Sequence, residues 1–167
     1  MSNWEAYKSW SDQYIPEIKK CLSEVLIGEP SEVCEDRDHN TDLCVLDLKP
    51  KRVACRVRDD KYRERYGDEF TIRTNVPSGN KSELAKIIEG WGDYIFYGFA
   101  DDEGLTQWFI GDLSVFRYWF THTLALMDKG ECPGAKQVNH DGSSGFRAFK
   151  KDEIEGFIVA EGGRDNA

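Results

Sequence analysis

The sequence lacks the signals of several large protein classes. It contains no apolar run near the roughly 18 residues that a membrane-spanning helix needs. Its first residues, Met-Ser-Asn-Trp-Glu, lack the basic and apolar regions of a signal peptide. The G-x-S-x-G, P-loop and G-x-G-x-x-G patterns are also missing, which argues against a serine hydrolase, a P-loop nucleotidase and a Rossmann dehydrogenase. We therefore expect no membrane partner and none of these enzymes.

Closely spaced cysteine pairs are missing as well. The five cysteines form no C-x-x-C pair. Their odd number and their scatter favour reduced thiols over a disulfide framework. We therefore expect a cytoplasmic protein.

The composition is that of a globular protein. The chain has 167 residues, of which 40% are hydrophobic, and it contains five Trp, seven Tyr and nine Phe. A chain of this length can bury a core of its own. We expect one domain over residues 1–161 and a disordered tail over residues 162–167.

The charge is acidic overall but unevenly distributed. The net charge of −9 is unfavourable for a nucleic-acid-binding protein, because contacts to phosphates dominate such affinity. Residues 49–73 nevertheless hold nine basic side chains against five acidic ones. This basic segment is compatible with a nucleic-acid groove and equally with a solvated surface.

The hydrophobic pattern predicts a mixed α/β (α+β) fold. Its core order is α-β-β-β-α-β, with a central mixed β-sheet, flanking helices and short C-terminal strands. The predicted elements are a helix over 10–27, a hairpin over 42–58, a strand over 70–74, a helix over 82–91, strands over 93–99 and 107–112, and a helix over 113–129. The crossover helix over 82–91 should make the third and fourth strands, or close neighbours, parallel.

The hairpin carries the most distinctive charges. With a loop over 49–51, the side chains of Asp42, Arg56 and Arg58 share one face. Arg73 extends this face if the third strand lies beside the second. A phosphate or metal site explains the cluster, and so does a simple cross-strand ion pair. Arg73 could instead anchor the acidic loop over 59–69.

This element order, with Asp42 opening the hairpin and a basic residue on its second strand, resembles the PD-(D/E)XK nuclease superfamily. The resemblance covers roughly residues 10 to 112. The family places an acidic residue and a lysine, two apart, on the second strand. Ala54 and Arg56 stand at those positions here. The whole chain also resembles small phage proteins of this type, which implies the host cell cytoplasm as its location.

The resemblance implies a metal-dependent nuclease whose site is degenerate. Asp42 would be a catalytic residue and a ligand of Mg²⁺, with Glu24 of the first helix as a further metal ligand. Arg56 would be catalytic by bracing the scissile phosphate, because an arginine stays protonated and cannot act as a base. The implied contacts to nucleic acid come from Arg58, Arg73 and Lys81.

Two further ambiguities remain open at this level. Lys81, Glu83 and Lys86 could contact a substrate or form a solvated helix face. Core packing explains most of the aromatic residues between 91 and 120, although one or two of them could stack on bases.

A non-enzymatic function is the alternative. The missing glutamate and lysine favour an acidic phage-type accessory or anti-defence protein that binds a host protein. The charge of −9 could imitate nucleic acid or steer the chain to a basic partner. The substrate, the partner and the oligomeric state are not predicted by the sequence.

An active nuclease makes a direct prediction. The protein should cut a labelled oligonucleotide with Mg²⁺ or Mn²⁺, and Asp42→Ala should abolish cleavage because it removes a metal ligand. Circular dichroism of the variant serves as the folding control. Cleavage that persists in a folded Asp42→Ala protein would contradict the assignment of Asp42.

Overall fold

The computed structural model describes residues 3–26, 51–75, 81–138 and 145–164. The chain divides into two compact units, residues 1–50 and residues 51–167, and each is described by itself. The single domain expected over residues 1–161 stays a prediction.

The described part of the first unit, residues 3–26, forms two helices where one was predicted. Helix α1 spans Asn3–Asp12 and helix α2 spans Ile15–Leu26. Pro16 lies in the first turn of α2, where its missing N–H group is tolerated, whereas the same residue inside one continuous helix would remove a hydrogen bond. The first strand of the predicted hairpin, with Asp42, lies outside the described residues.

The second unit combines short helices with seven described strands. The elements are β1 (Val53–Asp59), a 3₁₀ turn (Asp60–Tyr62), α3 (Arg63–Tyr66), β2 (Glu69–Arg73), α4 (Glu83–Ile88), β3 (Tyr94–Asp101), β4 (Gly104–Asp112), α5 (Leu113–Leu126), β5 (Ala135–Val138), β6 (Gly145–Lys150), a 3₁₀ turn (Lys151–Glu153) and β7 (Ile158–Gly162). This content confirms the predicted mixed α+β class. None of the described helices has both the length and the apolar character needed to cross a membrane.

The strands form two sheets. One is a mixed sheet in the order β1-β3-β4-β7, and the other is an antiparallel sheet in the order β2-β6-β5. The predicted parallel pairing across the crossover helix occurs between β1 and β3. The prediction that the third strand lies beside the second is wrong, because β2 pairs with β6. Strand β3, which is buried over residues 95–100, takes the position next to β1, as expected for an apolar central strand.

The ring of Phe70 on β2 joins the two sheets and α5. It is fully buried. Its centroid lies within 4.8–6.5 Å of five other rings, those of Tyr97, Phe109, Phe116, Phe149 and Phe157. These partners come from both sheets, from α5 and from the segment before β7. Aromatic packing about Phe70 therefore organises the core of the second unit.

The ordered chain extends further than predicted at its C-terminal end. Gly162 is the last residue of β7, although the tail was expected to begin there. Arg164 forms ion pairs with Asp101 and, at 2.7 Å, with Glu103. Hydrogen bonding to the Arg164 guanidinium lowers the pKa of Asp101. The remaining tail residues, 165–167, lie outside the described part of the chain.

The position of Phe70 predicts a large effect of its truncation. Phe70→Ala should lower the free energy of unfolding by about 3–5 kcal/mol, because it leaves a cavity among five aromatic rings. Urea unfolding followed by circular dichroism measures this change. Leu126→Ala, at an exposed position on α5, is the control and should stay within about 0.5 kcal/mol. Equal effects of the two substitutions would contradict this account of the core.

Candidate functional site

A groove of about 570 Å³ lies in the second unit and is rich in basic residues. Its charged lining consists of Arg52, Arg56, Arg73, Lys81, Lys86 and Glu83, and its uncharged lining of Val53, Ala54, Ile87, Trp91, Gly92 and Leu113. Five cations against a single carboxylate form a locally positive surface on a chain whose net charge is −9. We call this surface the basic groove.

Separate elements bring the cations together. Arg52 precedes β1, Arg56 lies within β1, and Arg73 ends β2. Lys81 precedes α4, and Lys86 lies on it. Three of the residues predicted from the sequence, Arg56, Arg73 and Lys81, therefore meet in one groove, although β1 and β2 belong to different sheets.

Arg56 ties the walls of the groove together. Its Nη1 donates to the carbonyl oxygen of Thr71 and, at 3.1 Å, to the Thr71 hydroxyl. Its Nη2 lies 2.5 Å from Oε2 of Glu83, and both side chains are only 26% exposed. The same carboxylate oxygen accepts the Arg73 backbone N–H at 3.0 Å. Arg56 thus links β1 to β2 and to the start of α4, and its charge is already paired.

Arg58 shares a face of β1 with Arg56 but does not line the groove. Its guanidinium lies 5.2 Å from the ring centroid of Tyr62 and 5.3 Å from that of Tyr66. It also donates to the hydroxyl of Tyr97, at 3.4 Å. These cation–π contacts hold Arg58 against the segment after β1. The structure therefore places Arg58 apart from the other predicted nucleic-acid contacts.

The cations of the groove differ in how far they are neutralised. Lys81 contacts both carboxylate oxygens of Glu89, at 2.7 and 2.8 Å. Within the ranges that the structure describes, the side chains of Arg73 and Lys86 form no ion pair. These two exposed cations are available to an anionic ligand.

An exposed tryptophan borders the groove at the end of α4. Helix α4 ends in a Schellman motif, in which Gly90 N–H donates to the Ile87 carbonyl and Trp91 N–H to the Lys86 carbonyl, both at 3.0 Å. Gly90 adopts φ 98°, a left-handed conformation that glycine tolerates best. The motif fixes the backbone of Trp91, yet the residue remains 58% exposed. The Arg52 guanidinium lies 5.5 Å from its ring centroid.

The sequence did not single out Arg52 or assign Trp91 to a site. A usable signal for Trp91 is the run Gly90-Trp91-Gly92 directly after a predicted helix. Glycine after a helix is typical of this kind of ending, so the position of Trp91 directly after it can be predicted.

The described lining of the groove offers binding groups and contains no Ser, Thr, Cys or His that could act as a nucleophile. Cys55 lies on the opposite face of β1 from Arg56, and desolvation raises the pKa of its thiol. Among the described residues, no group of three or more His, Cys, Asp or Glu side chains could hold a metal ion. The Mg²⁺ site depends on Asp42 and Glu24, whose side chains lie outside the described residues, so it stays a prediction.

No protein-family model, curated protein or solved structure matches the chain. The resemblance to the PD-(D/E)XK superfamily therefore stays a prediction.

The Arg56–Glu83 pair predicts an energetic coupling. Arg56→Ala and Glu83→Ala should each destabilise the fold by about 1–3 kcal/mol, because each leaves a partly buried charge without its partner. A double-mutant cycle by urea unfolding should give a coupling of about 1 kcal/mol or more. The more exposed Lys81–Glu89 pair is the matched control and should give less than about 0.5 kcal/mol. Equal couplings would show that Arg56 does not hold the groove together.

Proposed function

We propose that the chain is a nuclease-like protein that binds nucleic-acid phosphodiesters in the basic groove. The observation that carries the proposal is the pair of exposed cations, Arg73 and Lys86, in a groove with three further basic residues. On an acidic chain, a solvated surface would be expected to mix charges of both signs. The single carboxylate of this groove is already paired with Arg56.

The side chains suit phosphate chemistry. An arginine guanidinium matches a phosphate with two parallel N–H donors, and a lysine ammonium acts as a compact point charge. Several cations along an open groove favour a ligand with repeated negative charges over a single small anion. Nucleic acid is such a ligand, because each nucleotide contributes one phosphate.

The groove is proposed to bind a phosphodiester without cleaving it. Ala54 supplies no carboxylate beside Arg56, and the Arg56 guanidinium is engaged by Thr71 and Glu83. The family resemblance implies that Arg56 braces a scissile phosphate, but its paired charge supports a role in holding the groove. Arg73 and Lys86 are better placed to contact the ligand.

The acidic body of the protein should make binding sensitive to salt. Attraction in the groove is local, whereas the net charge of −9 repels a polyanion at longer range. Counterion release from the bound phosphates adds to the salt dependence. We therefore expect measurable affinity at low ionic strength and a steep loss of affinity as salt is added.

The salt dependence provides the test. Fluorescence anisotropy with a labelled oligonucleotide measures affinity over a series of salt concentrations. The double variant Arg73→Ala/Lys86→Ala should weaken binding by about tenfold or more, because each cation contributes a charge-assisted contact. The slope of log K against log salt should fall in magnitude by about 1.4, which is roughly 0.7 for each of the two lost contacts to a single strand.

Lys129→Ala/Lys136→Ala is the matched control. It removes the same net charge at two exposed positions outside the groove, and it should change the affinity by no more than about twofold. Equal losses in both double variants would overturn the assignment of the groove. If the wild-type protein bound no oligonucleotide even at low salt, the result would favour the acidic host-protein binder instead.

A further inference from the structure

The exposed ring of Trp91 lacks an explanation within the fold. The residue is 58% exposed, and its ring remains outside the buried aromatic core of the second unit. Tryptophan has the largest apolar surface of any side chain, so leaving it in water forgoes a substantial burial energy. At the same time, the Schellman motif fixes its backbone. An exposed aromatic ring on a fixed backbone, at the border of a basic groove, is suited to contact a ligand.

We propose that Trp91 stacks on an unpaired base, so that the basic groove takes single-stranded nucleic acid. This inference rests on the proposed function and specifies its ligand. Trp91 lines the groove together with Arg73 and Lys86. One ligand that places its phosphates on these cations can therefore reach the indole ring with a base.

The immediate surroundings of Trp91 favour stacking. The Arg52 guanidinium lies 5.5 Å from its ring centroid, within the range of a cation–π contact. A base can stack on the ring surface that Arg52 does not cover. A basic groove that carries an aromatic ring is typical of proteins that bind single strands, where phosphates contact the cations and a base stacks on the ring.

A duplex does not satisfy this arrangement. In a double helix the bases stack on one another and present only their edges in the grooves, so their faces cannot reach an aromatic side chain. A single strand exposes the faces of its bases without the cost of unpairing. Phosphate contacts alone do not discriminate strongly between the two forms. The preference for a single strand should therefore depend on Trp91.

The groove also predicts low sequence specificity. Its described lining contains no Asn or Gln, and its one carboxylate, on Glu83, is engaged by Arg56. Amides read adenine and carboxylates read cytosine, so edge readout in this groove is limited to guanine contacts by Arg or Lys, whereas stacking accepts the face of every base. Specificity should thus arise from strand form more than from sequence.

The experiment compares the affinities of three ligands for the wild-type protein and for a variant without the Trp91 ring. Fluorescence anisotropy at low salt would use an oligothymidylate of about 12 nucleotides, an abasic oligomer of equal length, and a duplex of equal length. Trp91→Ala should weaken binding of the oligothymidylate about tenfold, the order expected for the loss of one stacked base. Binding of the abasic oligomer and of the duplex should change by less than about twofold. Trp91→Phe should retain most of the affinity for the oligothymidylate.

The control is Tyr118→Ala, which removes another exposed aromatic ring, one that does not line the groove. It should leave the affinity for all three ligands unchanged. Equal weakening of the oligothymidylate and the abasic oligomer by Trp91→Ala would overturn the stacking inference. Tighter binding of the duplex than of the oligothymidylate by the wild-type protein would also overturn it.

These outcomes are distinct from a failure of the proposed function. If Arg73→Ala/Lys86→Ala weakens all three ligands while Trp91→Ala weakens none, the groove binds phosphates and only the stacking inference is wrong. If Arg73→Ala/Lys86→Ala weakens none of them, the proposed function itself is wrong.

Discussion

The contact of Arg56 with Thr71 and Glu83 is the constraint on which the candidate site depends. A guanidinium and a carboxylate that are only 26% exposed lose much of their hydration, so each needs the other as a partner. Arg56 lies in the mixed sheet, Thr71 in the antiparallel sheet, and Glu83 in the first turn of α4. The contacts of the Arg56 side chain therefore fix three elements, β1, β2 and α4, relative to one another. The basic groove is the surface that results.

This constraint also divides the basic residues into two groups. Arg56 and Lys81 are paired with Glu83 and Glu89, and the less exposed of the two pairs, Arg56–Glu83, serves the structure of the groove. Arg73 and Lys86 lie beside these two cations, and their own charged side chains are exposed. The carboxylate that holds Arg56 also accepts the backbone N–H of Arg73, so the paired cation helps to position the available one. Structural and binding roles are thus separated among neighbouring residues of the same charge.

Local signals predicted the elements of the second unit well, but the partner of β2 could not be predicted. Ser82 caps α4 through the Ala85 N–H, and the apolar run of β3 predicts a buried strand. These signals lie within a few residues of the structure they produce. The assignment of β2 to the sheet of β1 was wrong because the partner of β2 is β6, which is more than 70 residues away. Strand pairing depends on which surfaces bury most apolar area in three dimensions, and no local pattern records that.

The sequence alone determined the unusual concentration of basic residues on an acidic chain, and the residues predicted from it include Arg56, Arg73 and Lys81, which line one groove in the structure. The charge of each residue and the alternation of side chains along a strand are properties of the chain itself, and they do not depend on how the strands are arranged. Only the tertiary structure decided which cations remain available. Cation–π contacts with Tyr62 and Tyr66 hold Arg58 outside the groove. The helix ending at Gly90 places Trp91 at the groove. The physical reason is that a side chain's role depends on the partners that folding brings within a few ångströms of it.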